Sequence, residues 1–231
     1  MKNLIVDFRI HNEESEYLLS LGYNLLICPP SKDLYKVESG HPDMLMHIAG
    51  DSIIVHKDMN GEFINTLTSL NYKVYKSNST LQTKYPNNIC LNALSIGNLF
   101  IHSINFTDTN LLSLIANKKL INVRQGYTKC STCIVNNHAI ITSDTSIAKS
   151  LILEKIDVLL IPPGDILLPG LDYGFIGGAT GLIEEGVLAF YGSLDHYLYG
   201  NEILKFLNKH KVEPVYLRDG KLIDRGSIFR I

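Results

Sequence analysis

Along this chain, short apolar runs recur in pairs around a tight polar turn. The pairs fall at residues 44–48 and 52–55, 89–93 and 99–101, 132–135 and 139–141, 181–183 and 187–190, and 221–223 and 227–229. Each reads as a hairpin. Gly or Asn at the turn supplies the positive φ that a two-residue connection needs. The turns sit at Gly50, Gly97, Asn137, Gly186 and Gly226, at intervals of 40 to 49 residues. A period of that size marks a repeated supersecondary unit.

After four of the hairpins the spacing changes to i, i+3, i+4, predicting helices over 60–70, 107–115, 143–152 and 200–207. Several open with Ser, Thr, Asp or Asn, which cap free helix N–H groups. A third strand follows each helix, at 73–75, 120–123, 158–161 and 214–217. The N-terminus reads as the tail of the same unit, with a strand at 4–6, a helix at 13–21 and a strand at 24–27. The last hairpin has no helix after it, so the two ends are expected to share a fifth unit and close a ring. The predicted fold is thus α/β, a five-unit ββαβ ring over residues 1–231 as a single domain. An echo between Leu25-Leu26-Ile27-Cys28-Pro29-Pro30 and Leu159-Leu160-Ile161-Pro162-Pro163 supports the repeat. An ordinary open α/β sheet is the alternative.

Composition narrows the class. Hydrophobic residues make up 45% and charged residues 19% of 231, and the formal net charge is −2. Such a balance supports a sizeable core and gives no general attraction to nucleic acid or anionic membrane. No apolar stretch approaches the roughly 20 residues of a membrane span. Four cysteines are too few to staple a chain this long, so reduced thiols in the cytoplasm are expected.

In a ring of this kind the segments before the first strands point to one mouth, and polar residues collect there: 40–43, 85–88, 127–131 and 174–180. His41 and Asp43, two apart on a nascent strand, would face one side and suit proton transfer or cation binding. Gly-His-Pro-Asp is also good turn chemistry. Cys130 follows Lys129, whose ammonium would favour a thiolate. Cys130 and Cys133 would point to opposite faces of a strand, which makes a redox pair awkward. No second Cys-x-x-Cys or spaced histidine pair completes a zinc site, so no metal is expected. Cys28, Cys90 and Cys133 read as core thiols. Gly177 and Gly178 would let the backbone approach a ligand, but no Lys-Ser/Thr follows to make a phosphate loop. No cofactor motif is present.

The five-unit ring, the His-x-Asp at the start of one unit and the cysteine two units later resemble the pentein fold of the guanidino-group modifying enzymes: arginine and agmatine deiminases, dimethylarginine dimethylaminohydrolase and the amidinotransferases. The chain is similar to a clostridial-type group with that fold. The resemblance implies a cysteine-dependent hydrolase or transferase acting on a guanidino or amidino small molecule through a covalent thiol intermediate. It implies Cys130 as nucleophile, His41 as general acid/base and Asp43 as the carboxylate beside it. Asn88, Lys129, Asp165, Gly177 and Gly178 are the expected substrate-binding residues. In that family the cysteine lies near the chain's end, whereas nearly two units follow Cys130, so the order reads as circularly permuted. The family's further acids have no counterpart in Gly177-Gly178-Ala179-Thr180, which leaves Asp165 or Asp172 to supply one. A non-catalytic binding protein for a small molecule or protein partner stays open, since the ribosome anti-association factor has a similar ring. So does thiol redox chemistry at Cys130 and Cys133, which strand geometry opposes.

Overall fold

The computed structural model describes residues 2–231. The apolar run at the N-terminus forms β1 (Lys2–Asp7), followed by α1 (Asn12–Ser20) and β2 (Tyr23–Cys28). β2 lies parallel to β1, with Leu4 opposite Leu25. A single helical turn, α2 (Pro42–Leu45), leads into the hairpin of β3 (Met46–Ala49) and β4 (Ser52–Val55); α3 (Gly61–Ser69) then returns the chain to β5 (Lys73–Lys76). The same ββαβ order repeats three times. The second copy is β6 (Leu94–Ile96), β7 (Leu99–His102), α4 (Thr109–Leu114) and β8 (Lys119–Asn122). The third is β9 (Thr132–Asn136), β10 (Ala139–Thr142), α5 (Thr145–Leu153) and β11 (Asp157–Leu160). The fourth is β12 (Thr180–Glu184), β13 (Val187–Phe190), α6 (Gly200–Lys209) and β14 (Glu213–Tyr216). The chain ends on β15 (Phe229–Arg230), which pairs antiparallel with β1. The two termini therefore share the fifth three-stranded sheet, in the order β15-β1-β2.

Each unit hides its middle strand. β7 and β10 are buried along their whole length, while β5 and β8 at the outer edge are mostly exposed. Asn60, Asp108 and Asp144 cap α3, α4 and α5, each accepting two backbone N–H groups. Each such cap is worth about 1 kcal/mol.

Four apolar clusters join neighbouring units and close the circle. One runs from Ile5 through Met46, Ile54 and Leu67 to Phe100. A second joins Leu94, Ile101 and Val123 to Ile140 and Leu151. A third joins Cys133 and Ile141 to Leu188, Phe190 and Ile203. The last joins Ile183, Ala189 and Tyr191 back to Leu4, Val6 and Leu18. Among the described residues no helix is long and apolar enough to cross a membrane.

Three sequence readings are corrected. Met44 and Leu45 belong to α2 and not to a strand, because Pro42 at its first position lacks an N–H and is preset for a helical turn. Residues 89–93 form a turn with Asn92 N–H on Ile89 O at 2.8 Å, and the strand starts only at Leu94. Residues 221–229 make no hairpin. Ile223 forms one parallel bridge to Leu167, and Gly226, at φ +70°, turns the chain against His41 before it reaches β1.

Candidate functional site

The loops at one mouth of the ring bring Cys130, His41 and Asp224 to a cavity of about 260 Å³. Glu38, Tyr127, Phe175, Tyr173 and Asp172 line it as well, and Asp43 lies just behind Cys130.

Cys130 sits in a turn before β9, where Ser131 N–H bonds Tyr127 O at 2.9 Å and Thr132 N–H bonds Lys129 O at 3.1 Å. Asn92 holds that turn. Its Oδ1 accepts from Lys129 N at 2.9 Å and Cys130 N at 3.2 Å, and its Nδ2 donates to Cys130 Sγ at 2.9 Å. The thiol donates to Asp43 Oδ1 at 3.1 Å. Ser227 Oγ lies 2.6 Å from Asp43 Oδ2, and Lys129 Nζ donates to that hydroxyl at 2.9 Å.

His41 is the residue that immediately precedes α2 and Asp43 lies in its first turn, so the two reach the site from a helix start and not from a strand. The His41 ring lies between two buried carboxylates, with Nε2 3.9 Å from Asp7 Oδ2 and Nδ1 3.8 Å from Asp224 Oδ1. His41 Nε2 is buried without a hydrogen-bond partner, and so is Glu38 Oε2. Arg9 occupies Asp7 through a forked pair of hydrogen bonds, which sets Asp7 behind the histidine. Asp224 accepts from Phe175 N at 2.8 Å and Gly226 N at 3.0 Å.

The electrostatics are those of an acidic pocket. Burial, together with the charges of Asp43 and Asp224, pushes the Cys130 thiol well above its ordinary value. The resting site therefore holds a thiol, contrary to the thiolate expected from Lys129. The Lys129 ammonium turns away and reaches the sulfur only through Ser227 and Asp43. Burial likewise raises the carboxyls of Asp224 and Glu38, and the neighbouring Asp43 charge adds to both.

The other expected residues divide. Asn88 Nδ2 donates to the Tyr127 hydroxyl at 2.7 Å, behind the aromatic wall that Tyr127 forms with Phe175. Lys129 lines a separate cavity on the far side of the relay. Asp165 lies outside the pocket, paired with Lys221 at 2.7 Å and accepting from Leu198 N at 2.9 Å. Gly177 and Gly178 are close-packing positions. A Cβ at Gly177 would fall 2.6 Å or less from the carbonyls of Lys129, Cys130 and Thr132, and one at Gly178 would fall 2.0 Å from Asp224 Oδ1. Cys133 belongs to another core cluster, and all four cysteines are free and buried. Among the described residues no group of three His, Cys, Asp or Glu side chains is arranged to hold a metal ion.

Sequence reasoning missed Asn92, Glu38, Asp224 and Ser227. Asn92 was hidden in an apolar run, and the last two in a segment that looked like a hairpin. The only available signal was that Asp224-Arg225-Gly226-Ser227 holds more polar groups than a plain turn needs.

A search of the curated proteins finds no match to this chain. Among solved structures, a dimethylarginine dimethylaminohydrolase adduct with S-methyl-L-thiocitrulline matches at TM-score 0.61 and 8% identity, covering 100% of this chain and 99% of that one. The amidinotransferase SxtG from Microseira wollei matches at TM-score 0.59 and 12% identity, over 94% of this chain and 75% of that one. A Cys-to-Ser mutant of DDAH from Pseudomonas aeruginosa, complexed with citrulline, matches at TM-score 0.52 and 7% identity, over 93% and 91%. These likenesses give the fold: the five-unit ring is the pentein ring of the guanidino-group modifying enzymes. In sequence, the model of the family described as "Family of unknown function (DUF6873)" matches residues 5–229, and the chain belongs to that family.

Proposed function

We propose that this chain, as one domain, is a cysteine-dependent hydrolase or transferase of a guanidino or amidino compound, with Cys130 as nucleophile and His41 as general acid/base. The observation that carries the reading is the gathering of Cys130, His41, Asp224 and Glu38 around one cavity, with Asp43 against the sulfur. The carboxylates absent from the 177–180 segment come instead from Asp224 and Glu38. That favours catalysis over a non-catalytic binding role.

A planar guanidinium offers paired N–H donors to carboxylates. Glu38 Oε2 has no hydrogen-bond partner and Asp224 lines the same cavity, so both suit a cation. Tyr127 and Phe175, stacked at 6.0 Å between ring centroids, offer faces to the same group. Burial and surrounding carboxylates hold the thiol protonated, and a bound cation supplies the opposite charge that favours the thiolate. The thiol proton passes to Asp43, its acceptor at 3.1 Å. The sulfur then attacks the guanidinium carbon, one C–N bond breaks, and protonated His41 gives its proton to the departing amine. Water or an acceptor amine, deprotonated by His41, attacks the same carbon and expels the sulfur, which takes its proton back from Asp43. Among the described residues no lysine or arginine lines the cavity. The part of the substrate held there thus carries no carboxylate of its own. We place the protein in the cytoplasm, where its four free thiols stay reduced.

The test is a panel of guanidines and amidines assayed for amine release, with acid-quenched protein weighed for a covalent adduct. Turnover should fall at least a thousandfold in Cys130→Ala, with loss of the adduct. Full turnover in that variant would dismiss Cys130 as nucleophile.

A further inference from the structure

The ring's channel is polarised. Its acidic mouth holds Glu38, Asp172 and Asp224. On the other side of the Lys129–Ser227 contact lies a second cavity of about 230 Å³, to which all five inner strands contribute through His47, Ser95, Ile134, Leu182 and Phe229. Two cations, Lys129 and Arg230, also line it, and among the described residues no Asp or Glu does. His47 adds no charge, because burial lowers its pKa to about 3 and its Nε2 pairs with Ser95 Oγ at 3.0 Å.

Lys129 is only 9% exposed. A lysine so buried normally has a carboxylate partner. Among the described residues no carboxylate oxygen lies within 4.0 Å of the Lys129 ammonium. Its Nζ has the Ser227 hydroxyl at 2.9 Å and the Phe229 ring with its centroid at 5.6 Å. The rest of the wall is largely aliphatic and aromatic, from Ile48, Ile134, Leu182, Ile228 and Phe229.

We propose that this rear cavity binds a small apolar carboxylate through Lys129 and Arg230, and that its occupancy is transmitted to Cys130. An anion supplies the charge partner that the buried ammonium lacks, and an apolar body fits the wall. A cavity of about 150 Å³ is enough for benzene, so the volume suits an acid the size of benzoate. Transmission runs through contacts already described. Lys129 Nζ holds Ser227 Oγ at 2.9 Å, Ser227 Oγ lies 2.6 Å from Asp43 Oδ2, and Asp43 Oδ1 lies 3.1 Å from Cys130 Sγ. An anion on Lys129 cancels the positive charge behind Asp43 and draws Nζ from Ser227. The field at the sulfur becomes more negative, so the thiolate is less favoured. By linkage, a cation in the acidic mouth alters the affinity of the rear acid.

The test uses benzoate as probe on the whole chain, with two readouts that need no turnover: calorimetric binding, and the iodoacetamide alkylation rate of Cys130 located by mass spectrometry. Binding should saturate below about 10 mM. It should weaken at least tenfold in Lys129→Met, several-fold in Arg230→Met, and little in Lys129→Arg. Saturating benzoate should slow Cys130 alkylation two- to tenfold in the unaltered chain and leave Lys129→Met unaffected. Arg230 is exposed, so its variant carries the test if Lys129→Met does not fold. Absence of saturable binding, equal affinity in the Met variants, or slowing that persists in Lys129→Met would overturn the proposal. A chain that binds benzoate this way and processes no guanidine would leave the rear site standing and remove the catalytic reading.

Discussion

Replacing Asp43 with Asn should make Cys130 more reactive toward a neutral alkylating agent while slowing the turnover proposed above. The Asp43 charge lies 3.1 Å from the sulfur. At an effective dielectric constant of about 20, its repulsion of a thiolate is about 5 kcal/mol. Part of this is already offset, because Lys129 acts on the far oxygen of Asp43 through Ser227. The amide at position 43 also gives up the acceptor strength of a carboxylate. If roughly half the effect survives, forming the thiolate costs about 2.7 kcal/mol less and the alkylation rate near neutral pH rises about a hundredfold, at 1.36 kcal/mol per tenfold. The assay is iodoacetamide modification between pH 7 and 10, read at the Cys130 peptide so that the other three buried thiols do not interfere. Asn is nearly isosteric with Asp, so access to the sulfur is the same in both chains. Turnover should move the other way, since Asp43 takes the thiol proton in the proposed step. A Cys130 rate that is unchanged or slower in Asp43→Asn, with melting and circular dichroism unaltered, would refute the electrostatic reasoning.

Gly178→Ala should destabilise the fold by about 1–3 kcal/mol in urea unfolding. Its Cβ would lie 2.0 Å from Asp224 Oδ1, within a buried loop that cannot move far; an unchanged midpoint would show that the Asp224 loop yields freely. Burial raises the Asp224 carboxyl above its ordinary 3.8, and the Asp43 charge adds to the rise. The native chain thus holds a proton that the unfolded chain has lost, and stability declines as pH rises from near that ordinary value through the raised one. Urea midpoints from about pH 4 to 7 should decline less steeply in Asp224→Asn than in the unaltered chain, and parallel slopes would count against a raised carboxyl.

The ring was legible in the sequence because every unit repeats the same change of period, from two to 3.6 and back. Four of the five turns lie where Gly50, Gly97, Asn137 and Gly186 place them, between paired antiparallel strands. The fifth misled because Gly226 has the same positive φ for another reason. A Cβ there would fall 2.2 Å from His41 Cβ, so glycine is required for close approach to the histidine and not for a hairpin. The local pattern cannot tell these two uses of glycine apart. His41, Asp43 and Cys130 stood out because they lie in the short polar segments just before first strands. Asp165 stood out equally by residue type, but its Lys221 pairing depends on contacts 56 residues apart in sequence.

The site's acids follow from where the ring is sewn shut. In units wholly encoded by continuous chain, the segment entering the first strand is an ordinary connection such as 127–131. In the fifth unit that entering segment is 224–228, and its strand β15 comes from the opposite end of the chain to β1 and β2. Asp224 and Ser227 therefore reach the mouth from one end of the sequence, and Asp7 and Glu38 from the other. Counting acids near the cysteine and histidine undercounts them, because half the site crosses the seam. A closed ring of equivalent units has no mechanical preference for where the seam falls, since each unit packs on its two neighbours whichever peptide bond is missing. The cysteine can thus sit mid-chain, nearly two units before the end, and still share a cavity with Glu38 and Asp224 from the two ends of the chain. What holds the site together is the cyclic order of the loops, and that order survives a shift of the termini.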